Sequence, residues 1–500
     1  MNVFMHWFPT PNNAGLWLLL EELKIERLHY TYLDPKDSVL PLDIETKGIW
    51  LDANPKEYLN YSNINTPIDG KLIVDMRQNM YSALEIIYRW RGSQGVGGSY
   101  KRTVDRYFSL LSYWNNYIIT NKIDIFISSA IPHSANEYII YSLCKTHGIP
   151  TVICEMLPSI ANEKPVSYFS AGMSSLYNGF SEKYNEIILR YRNNPQRVND
   201  VPGYLDVYIS HFSEKGQNLK TIAATKATEP LFMTGIKRGR VYLKQKRFGT
   251  LFRKVGKLFL LNHKNKKILR YIETLEEAPV VGEKYIYFPL HLQPEASTTP
   301  TALEFSRQDI AIAMLSKALP EGIKLYVKEH PAYWMKAKKY DYIEDSRSKN
   351  YYKKIKKLPN VRIIRHREKS GELIDGAEAI ATINGTVGWE AVVRKKPVIM
   401  FGNSFYMHID QVYKVVTFND CAKAINEILF ENKGIVPDIE LRAFLKTLEE
   451  ISVVGSAAYD EIADFDLSGI SKEENDKNLA NGLVRFIRIA YPQVGVGTRN

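Results

Sequence analysis

The second half of the chain alternates short apolar runs with longer amphipathic stretches, and this alternation limits the folds open to it. Runs of four to six residues rich in β-branched and aromatic side chains predict strands. Two parallel strands need a crossover connection of a dozen or more residues, usually a helix. The pattern therefore predicts a doubly wound α/β domain. Its predicted strands are residues 285–290, 323–327, 361–364, 379–383 and 397–401.

The first half contains one clear strand, helix, strand unit. Residues 123–129 form a short apolar run, residues 135–147 suit a helix, and residues 151–154 are again apolar. Gly148 closes the helix and Pro150 precedes the second strand. Because 500 residues are too many for one ordinary core, two domains of roughly 200 residues each are expected. The predicted fold class is α/β, with two Rossmann-like domains that face a cleft.

Changes in composition along the chain set the predicted domain boundaries. The N-terminal Rossmann-like domain spans residues 1–225, and a basic connecting segment spans residues 226–282. The C-terminal Rossmann-like domain spans residues 283–437. Residues 438–500 have a helical pattern and end in a polar tail.

Composition excludes several classes of protein. Hydrophobic residues at 45% and charged residues at 24% are ordinary for a globular protein. Cys144, Cys154 and Cys421 lack the spacing of a disulfide framework or a zinc site, so we expect no metal and no cofactor. No uncharged apolar run reaches the roughly 18 residues of a membrane span, and the first residues do not resemble a signal peptide. The expected location is the cytoplasm.

The positive charge of the chain is concentrated in one amphipathic segment. Residues 237–270 contain thirteen Lys or Arg and no Asp or Glu, interleaved with large apolar residues. Such a segment can dock on an anionic membrane, where each basic residue contributes on the order of 1 kcal/mol. We therefore expect peripheral contact with the anionic inner-membrane surface. No nucleic acid is expected, because no recognition motif accompanies the charge; a solvated helix face without a partner is the alternative.

Two segments that follow predicted strands carry groups suited to a phosphate. Lys328 and His330 follow the apolar run 323–327, and Pro331 comes directly after them. The second segment joins the run 379–383 to a predicted helix. Gly385 allows close approach of the backbone, Thr386 offers a hydroxyl, and the start of a helix attracts anions. An ordinary turn is the alternative for each segment. The predicted phosphate-binding residues are Lys328, His330, Asn384, Gly385, Thr386 and Val387.

Further polar residues fall near these two segments. Glu295 lies in a loop after the first strand of the second domain and is a candidate catalytic base or sugar ligand, together with Gln293 as a sugar ligand. Glu390, on the predicted helix after residue 387, is a candidate for binding a sugar hydroxyl. The alternatives are that Glu295 is solvated beside a helix cap and that Glu390 complements the helix dipole.

In the first domain, His133 follows a predicted strand and is a candidate general base. A histidine without a functional role near a helix start is the alternative. Asp464 and Asp466 match a DxD metal-binding pattern, but no apolar strand precedes them. We interpret them as surface carboxylates.

These segments, together with residues 396–402, resemble bacterial capsule polysaccharide biosynthesis proteins. That family includes Kdo transferases that use a CMP-linked donor, and two Rossmann-like domains facing a cleft are the architecture of GT-B glycosyltransferases and of sugar-nucleotide epimerases. The pair His330-Pro331 also resembles the His-Pro pair that contacts the CMP phosphate in bacterial sialyltransferases. The resemblance implies that His330 binds the donor phosphate, assisted by Thr386 and its loop.

The resulting prediction is a glycosyltransferase that moves a sugar from a nucleotide donor, for example a CMP-linked one, to a growing capsule or surface polysaccharide. Its partners would be a nucleotide-sugar donor in the C-terminal domain, a glycan or lipid-linked glycan acceptor in the N-terminal domain, and the membrane surface. His133, Glu295 and His330 are the candidate catalytic residues. The alternatives are a non-catalytic carbohydrate-binding or assembly protein, a CDP-glycerol-type glycerophosphotransferase, and an epimerase.

Overall fold

The computed structural model divides the chain into two compact units. The first contains Met1–Tyr208, Thr299–Thr301 and Arg442–Asn500, and the second contains Ile209–Thr298 and Ala302–Leu441. The structure describes residues 1–6, 14–32, 44–50, 63–93, 100–158, 164–173, 179–196, 209–212, 260, 263–293, 295, 298–338, 347–431, 433–457 and 470–494.

Within these residues, seven strands form the sheet of the first unit: β1 (Asn2–His6), β2 (Arg27–Tyr32), β3 (Glu45–Trp50), β4 (Ile125–Ser128), β5 (Thr151–Met156), β6 (Val166–Ser170) and β14 (Val453–Val454). Their order across the sheet is β14, β6, β5, β4, β1, β2, β3. The five strands from β5 to β3 pair in parallel, whereas β6 is antiparallel to both of its neighbours.

Helices cover both faces of this sheet: α1 (Ala14–Glu22), α2 (Gly70–Asp75), α3 (Arg77–Ser93), α4 (Tyr100–Thr120), α5 (Ala135–Thr146), α6 (Phe180–Asn193) and α14 (Lys472–Ala490). Phe4 and Phe126 pack against α3, α4 and α5 in one core cluster. Val3 and Ile125 pack with α1 and α14 in the other. Adjacent residues of a strand enter opposite clusters because strand side chains alternate between faces.

The described part of the second unit also holds a sheet of seven strands: β7 (Glu276–Glu277), β8 (Tyr285–Pro289), β9 (Lys324–Lys328), β10 (Val361–Ile364), β11 (Ala379–Thr382), β12 (Val398–Met400) and β13 (Val412–Lys414). They are ordered β13, β12, β11, β8, β9, β10, β7, and all pairs are parallel. The predicted parallel sheet of this domain is therefore confirmed.

Strands β8 to β12 of this second sheet are largely buried, which explains why they read as apolar runs rather than as alternating ones. Ile286 and Leu325 enter the main core cluster of the unit. On the opposite face, the rings of Tyr285 and Tyr326 stack with centroids 3.9 Å apart. Helices of the unit are α7 (Gln308–Ala318), α8 (Pro331–Lys338), α9 (Lys349–Lys356), α10 (Ser370–Gly376), α11 (Thr386–Val393) and α12 (Phe418–Phe430).

The strand, helix, strand unit predicted in the first half is confirmed as β4, α5 and the parallel strand β5. Gly148 adopts a φ of 70°, a left-handed conformation that glycine tolerates at a helix end. Together with the second sheet, this establishes the predicted α/β fold class with two Rossmann-like domains.

The C-terminal residues join the sheet and the helical layer of the first unit. Helix α13 (Asp438–Ile451) runs from the second unit into the first. Val453 and Val454 then pair with Ser167 and Val166 of β6. Helix α14 follows and packs on α1. Sequence pattern indicated helices here, and the additional strand was not predicted.

Some predicted features lie outside the described residues. Most of the basic segment 237–270 is among them, as are Asp464 and Asp466. Of the helices that are described, none combines the length and the apolar character needed to cross a membrane. All three cysteines are buried and unpaired with one another.

We expect Gly482→Ala to destabilise the first unit, because Gly482 of α14 lies against β14 and β6. A Cβ atom at this position would be 2.5 Å from Val453 Cγ1 and 2.9 Å from Phe169 Cε2. Such overpacking lowers the free energy of unfolding by about 1–3 kcal/mol, measurable by urea denaturation. The control is Gly70→Ala in α2, where a Cβ meets nothing within 4 Å. Equal effects of the two substitutions would contradict this account of α14 packing.

Candidate functional site

The candidate site lies at the carboxyl edge of the second sheet, where the chain reverses direction across the sheet. Strands β9 and β10 extend on one side of β8, and β11 to β13 extend on the other. Loops after β8 and β11 separate at such a point and leave room for a ligand. His291 Nε2 lies 3.2 Å from Thr382 Oγ1, and the Gly385 N–H donates to the same oxygen at 3.2 Å. The loop after β8 and the loop after β11 therefore both contact Thr382, the last residue of β11.

The neighbours of Gly385 leave little room for a side chain. A Cβ atom there would lie 3.0 Å from His291 Cε1 and 3.2 Å from Thr382 Oγ1. The pKa of His291 is lowered to about 3, mainly by burial, and the neighbouring His330 and Arg347 act in the same direction. His291 is therefore neutral at physiological pH and packs as an uncharged ring. His291 was not among the site residues predicted from the sequence.

His330 lies between the end of β9 and the start of α8. The Ala332 N–H donates to His330 Nδ1 at 3.1 Å, so the neutral ring carries its proton on Nε2. Burial lowers the pKa of His330, although the carboxylates of Glu329 and Glu295 oppose this. Nε2 has no hydrogen-bond partner within the described part of the chain. His330 is thus a neutral imidazole with an N–H group available to a ligand.

Lys328 is 2% exposed, and its Nζ donates to Ser370 Oγ at 2.8 Å. Burial lowers the pKa of Lys328 to about 8, while the negative charges of Glu368 and Glu390 act to raise it. At neutral pH most molecules therefore still carry a protonated, positively charged Lys328. Because its charge acts to raise the pKa of Lys328, the predicted residue Glu390, on α11, lies near this lysine.

The loop before α11 presents the start of a helix. Helix α11 begins at Thr386, and its N-cap, Gly385, supplies no side-chain cap. The first N–H groups of a helix have no partner within the helix. Asn384 and Val387 are partly buried, whereas Thr386 is exposed. The arrangement offers backbone donors, one hydroxyl and the positive end of the helix dipole to an anion.

A buried ion pair holds the loops after β8 and β9. Arg347 donates to Glu329 Oε1 and to the carbonyl oxygen of His291. The hydroxyl of Tyr352 donates to Glu329 Oε2 at 2.6 Å, and the His330 N–H donates to Glu329 Oε1 at 2.7 Å. Arg347 and Glu329 are each 1% exposed. This network fixes the backbone on either side of His330.

Sequence reasoning missed this network for identifiable reasons. Glu329 lies inside the Lys-Glu-His-Pro segment, and glutamate is almost never fully buried unless it is paired, so its position alone did not indicate burial. Arg347 is eighteen residues further along, in no recognisable motif. No periodicity in the sequence connects it to Glu329.

The remaining predicted residues have different surroundings. Gln293 donates from Nε2 to the Ser306 carbonyl oxygen at 2.7 Å, which holds its own loop. Glu295 is exposed, and its charge acts on His330. His133 belongs to the first unit, in the loop between β4 and α5. The charge of Glu390 thus acts on Lys328, and the charge of Glu295 acts on His330. The loop 384–387 lies at the same edge of the sheet.

We expect Arg347→Met to cost about 3–5 kcal/mol of unfolding free energy, because Glu329 would be left as a buried, unpaired charge. Urea denaturation of the purified variant measures this loss. The double variant Arg347→Met with Glu329→Gln should recover a large part of it. A matched control is Arg307→Met, which removes the half-exposed pair with Asp309 and should cost less than about 1 kcal/mol. Similar losses at both arginines would contradict the structural importance of the buried pair.

The match to a protein family covers the segment that carries most of this site. Residues 299–409 match the model described as capsule polysaccharide biosynthesis protein. The matched segment includes Lys328, His330 and residues 384–387, and it begins after Gln293 and Glu295. The resemblance to this family is therefore confirmed for this part of the chain. No curated protein matches the chain.

Several solved structures resemble the chain at low identity. The beta Kdo 2,7 transferase KpsC of Thermosulfurimonas dismutans is 12% identical, with 73% of this chain and 88% of that chain covered and a TM-score of 0.31. The UDP-GlcNAc 2-epimerase of Methanocaldococcus jannaschii is 12% identical, with 90% and 100% covered and a TM-score of 0.25. Anabaena Alr3699/HepE, in complex with UDP and glucose, is 10% identical, with 92% and 96% covered and a TM-score of 0.24. At these TM-scores the likeness decides nothing about the reaction.

Proposed function

We propose, taking the match to capsule polysaccharide biosynthesis proteins as the premise, that this protein is a glycosyltransferase. It transfers a sugar from a nucleotide donor to a growing capsule or surface polysaccharide. The observation that carries the proposal is the Nε2–H of His330, which is neutral, without a partner in the described residues, and next to the buried cation Lys328. These are donors for a phosphate, and they lie at the end of β9, the strand next to the reversal point of a parallel sheet.

The donor phosphate would bind between the loops after β9 and β11. His330 donates from Nε2, Lys328 supplies positive charge, and the first N–H groups of α11 with the Thr386 hydroxyl complete the set. Asn384 belongs to the same loop. The absence of a side chain at Gly385 permits the close packing of this loop against His291 and Thr382. As the bond between the anomeric carbon and the phosphate oxygen breaks, negative charge grows on the leaving phosphate. Fixed donors of this kind stabilise that charge in the transition state.

The carboxylates near the phosphate donors are suited to contacts with the sugar of the nucleotide donor. Glu390 acts on Lys328 electrostatically, and Glu295 acts on His330. We propose that Glu390 and Gln293 bind sugar hydroxyls and that Glu295 contributes as a catalytic carboxylate. In the first unit, His133 would accept the proton of the acceptor hydroxyl. The acceptor is a glycan or a lipid-linked glycan, and the basic segment 237–270 would hold the protein at an anionic inner-membrane surface.

We expect His330→Ala to weaken nucleotide binding roughly 10- to 100-fold, because a hydrogen bond to a charged phosphate contributes about 1.5–3 kcal/mol. Calorimetry and thermal shift with CMP, CDP, UMP, UDP and GDP measure the loss and identify the donor nucleotide. His263→Ala, at an exposed histidine of the same unit, is the matched control and should bind normally. Wild-type affinity in His330→Ala would exclude His330 as the phosphate ligand.

The same titrations separate the alternatives. Binding of a nucleotide without any transfer to a glycan acceptor would favour a carbohydrate-binding or assembly protein. Consumption of a nucleotide sugar without an acceptor would favour an epimerase, and selective stabilisation by CDP-glycerol would favour a glycerophosphotransferase.

Donor affinity should also fall as pH rises through about 8. The pKa of Lys328 is lowered to about 8, so its ammonium loses its proton between roughly pH 7 and 9 and the attraction to phosphate declines. Calorimetric titration with a nucleotide sugar, whose phosphates do not titrate in this range, measures the effect. Lys328→Met should bind more weakly at pH 7 and show a flat profile. A wild-type profile that is already flat would contradict a role for the Lys328 charge.

A further inference from the structure

The last residue of β9, Lys328, lies on the opposite face of the second sheet from the main core cluster. Side chains alternate along a strand, so Val327 enters that cluster, whereas Tyr326 and Lys328 belong to the other face. The neighbouring strand β8 adds Tyr285 and Tyr287 to this face, because Tyr287 pairs in register with Tyr326 and the ring of Tyr285 stacks on it. Lys328 thus ends a face lined by tyrosines.

Helix α10, which follows β10, packs on this tyrosine face. The hydroxyl of Tyr285 donates to the Leu373 carbonyl oxygen at 2.9 Å, which fixes the helix to β8. Ser370 is the first residue of α10 and is thereby held beside the end of β9. Its Oγ accepts from Lys328 Nζ at 2.8 Å and lies 3.5 Å from the hydroxyl oxygen of Tyr287.

The ammonium of Lys328 is buried without a paired charge. Lys328 is 2% exposed, and Ser370 Oγ is its one hydrogen-bond partner within the part of the chain that the structure describes. Glu368 and Glu390 act on the charge but form no ion pair with it there. A buried charge with one neutral partner is costly unless further groups complete its surroundings. The other N–H groups of the ammonium therefore remain for a bound anion.

The hydroxyl of Ser370 favours the charged form of Lys328. Burial lowers the pKa of Lys328 to about 8, and Glu368 and Glu390 oppose this. A hydrogen bond to an ionised group is roughly twice as strong as one between neutral groups, so Ser370 stabilises the ammonium more than the neutral amine. Tyr287 adds no negative charge, because burial raises the pKa of its hydroxyl. Ser370 thus offsets part of the cost of burying the cation.

We propose that Ser370 is a positioning residue for Lys328, whose ammonium its hydroxyl fixes at the end of β9 so that the lysine can bind the donor phosphate. The inference rests on the proposed function and adds the loop after β10 to the proposed phosphate site. Ser370 acts through Lys328 and is not itself a ligand of the phosphate.

Calorimetric titration of Ser370→Ala tests this role with UDP-glucose, GDP-mannose and CMP-sialic acid as probes. We expect affinity for the probe that binds wild-type protein to fall roughly 2- to 10-fold at pH 7. The pH at which affinity declines should also move down by on the order of one pH unit, because the charged form has lost its hydrogen bond. Ser370→Thr keeps a hydroxyl and should restore both values.

The matched control is Ser316→Ala in α7. Ser316 is a buried serine of the same unit, and its hydroxyl donates to Asn360 Oδ1. The substitution removes a comparable hydrogen bond away from Lys328. It should lower the free energy of unfolding and leave both the affinity and its pH dependence as in wild-type protein.

A second readout needs no ligand. In protein with isotope-labelled lysine, the NMR signal of Lys328 Cε, identified by its absence in Lys328→Met, reports the pH at which the ammonium is half-protonated. Ser370→Ala should lower this midpoint by on the order of one pH unit. A purely structural role of Ser370 at the start of α10 would change stability and leave the midpoint where it is.

An unchanged midpoint or an unchanged affinity in Ser370→Ala would overturn the role given to Ser370. Equal losses in Ser370→Ala and Ser370→Thr would do the same, since the hydroxyl would not be the group that acts. A wild-type protein that binds no nucleotide or nucleotide sugar is a different result, because it would overturn the proposed function. The NMR midpoint would still decide whether Ser370 acts on Lys328.

Discussion

The buried pair of Glu329 and Arg347 is the interaction on which the candidate site depends. Both groups are removed from water, a cost that is offset only when every charged atom has good partners. Glu329 accepts from Arg347, Tyr352 and the His330 N–H, and Arg347 reaches the carbonyl oxygen of His291. The loops after β8 and β9 are held by the same guanidinium. His330 therefore has a fixed backbone, which the proposed contact with a phosphate would require.

Both sheets reverse their strand order, but the side chains at the two reversal points carry opposite charge. Each reverses its strand order after its first long strand, and each gathers polar residues at that point. In the second unit, Lys328, His330 and the start of α11 favour an anion. In the first unit, the buried carboxylate of Glu137, whose Oε1 lies 2.9 Å from His6 Nε2, disfavours one. One architecture thus carries different charges at its two reversal points, because the fold sets where the loops meet and the side chains set the local charge.

Much of the fold was predictable from local pattern, and the site only in part. Strands β8 to β12 lie close to the apolar runs, because strands buried on both faces must be apolar. His330 and the residues before α11 were recognisable since they follow such strands directly. His291, Arg347 and Glu137 were not identified. Their roles come from partners 91, 18 and 131 positions away, and no local pattern encodes a contact over such distances.

By itself, the sequence determined the alternation of strands and helices, the parallel sheets that this alternation requires, and the polar segments at the strand ends. These features depend on periodicity, turn residues and chain connectivity, which are local properties. Only the tertiary structure decided the order of the strands, the pairing of Glu329 with Arg347 and of Glu137 with His6, and the addition of β14 and α14 to the first unit. Such contacts depend on which buried surfaces and charges can satisfy one another, and only the folded chain brings those groups within reach.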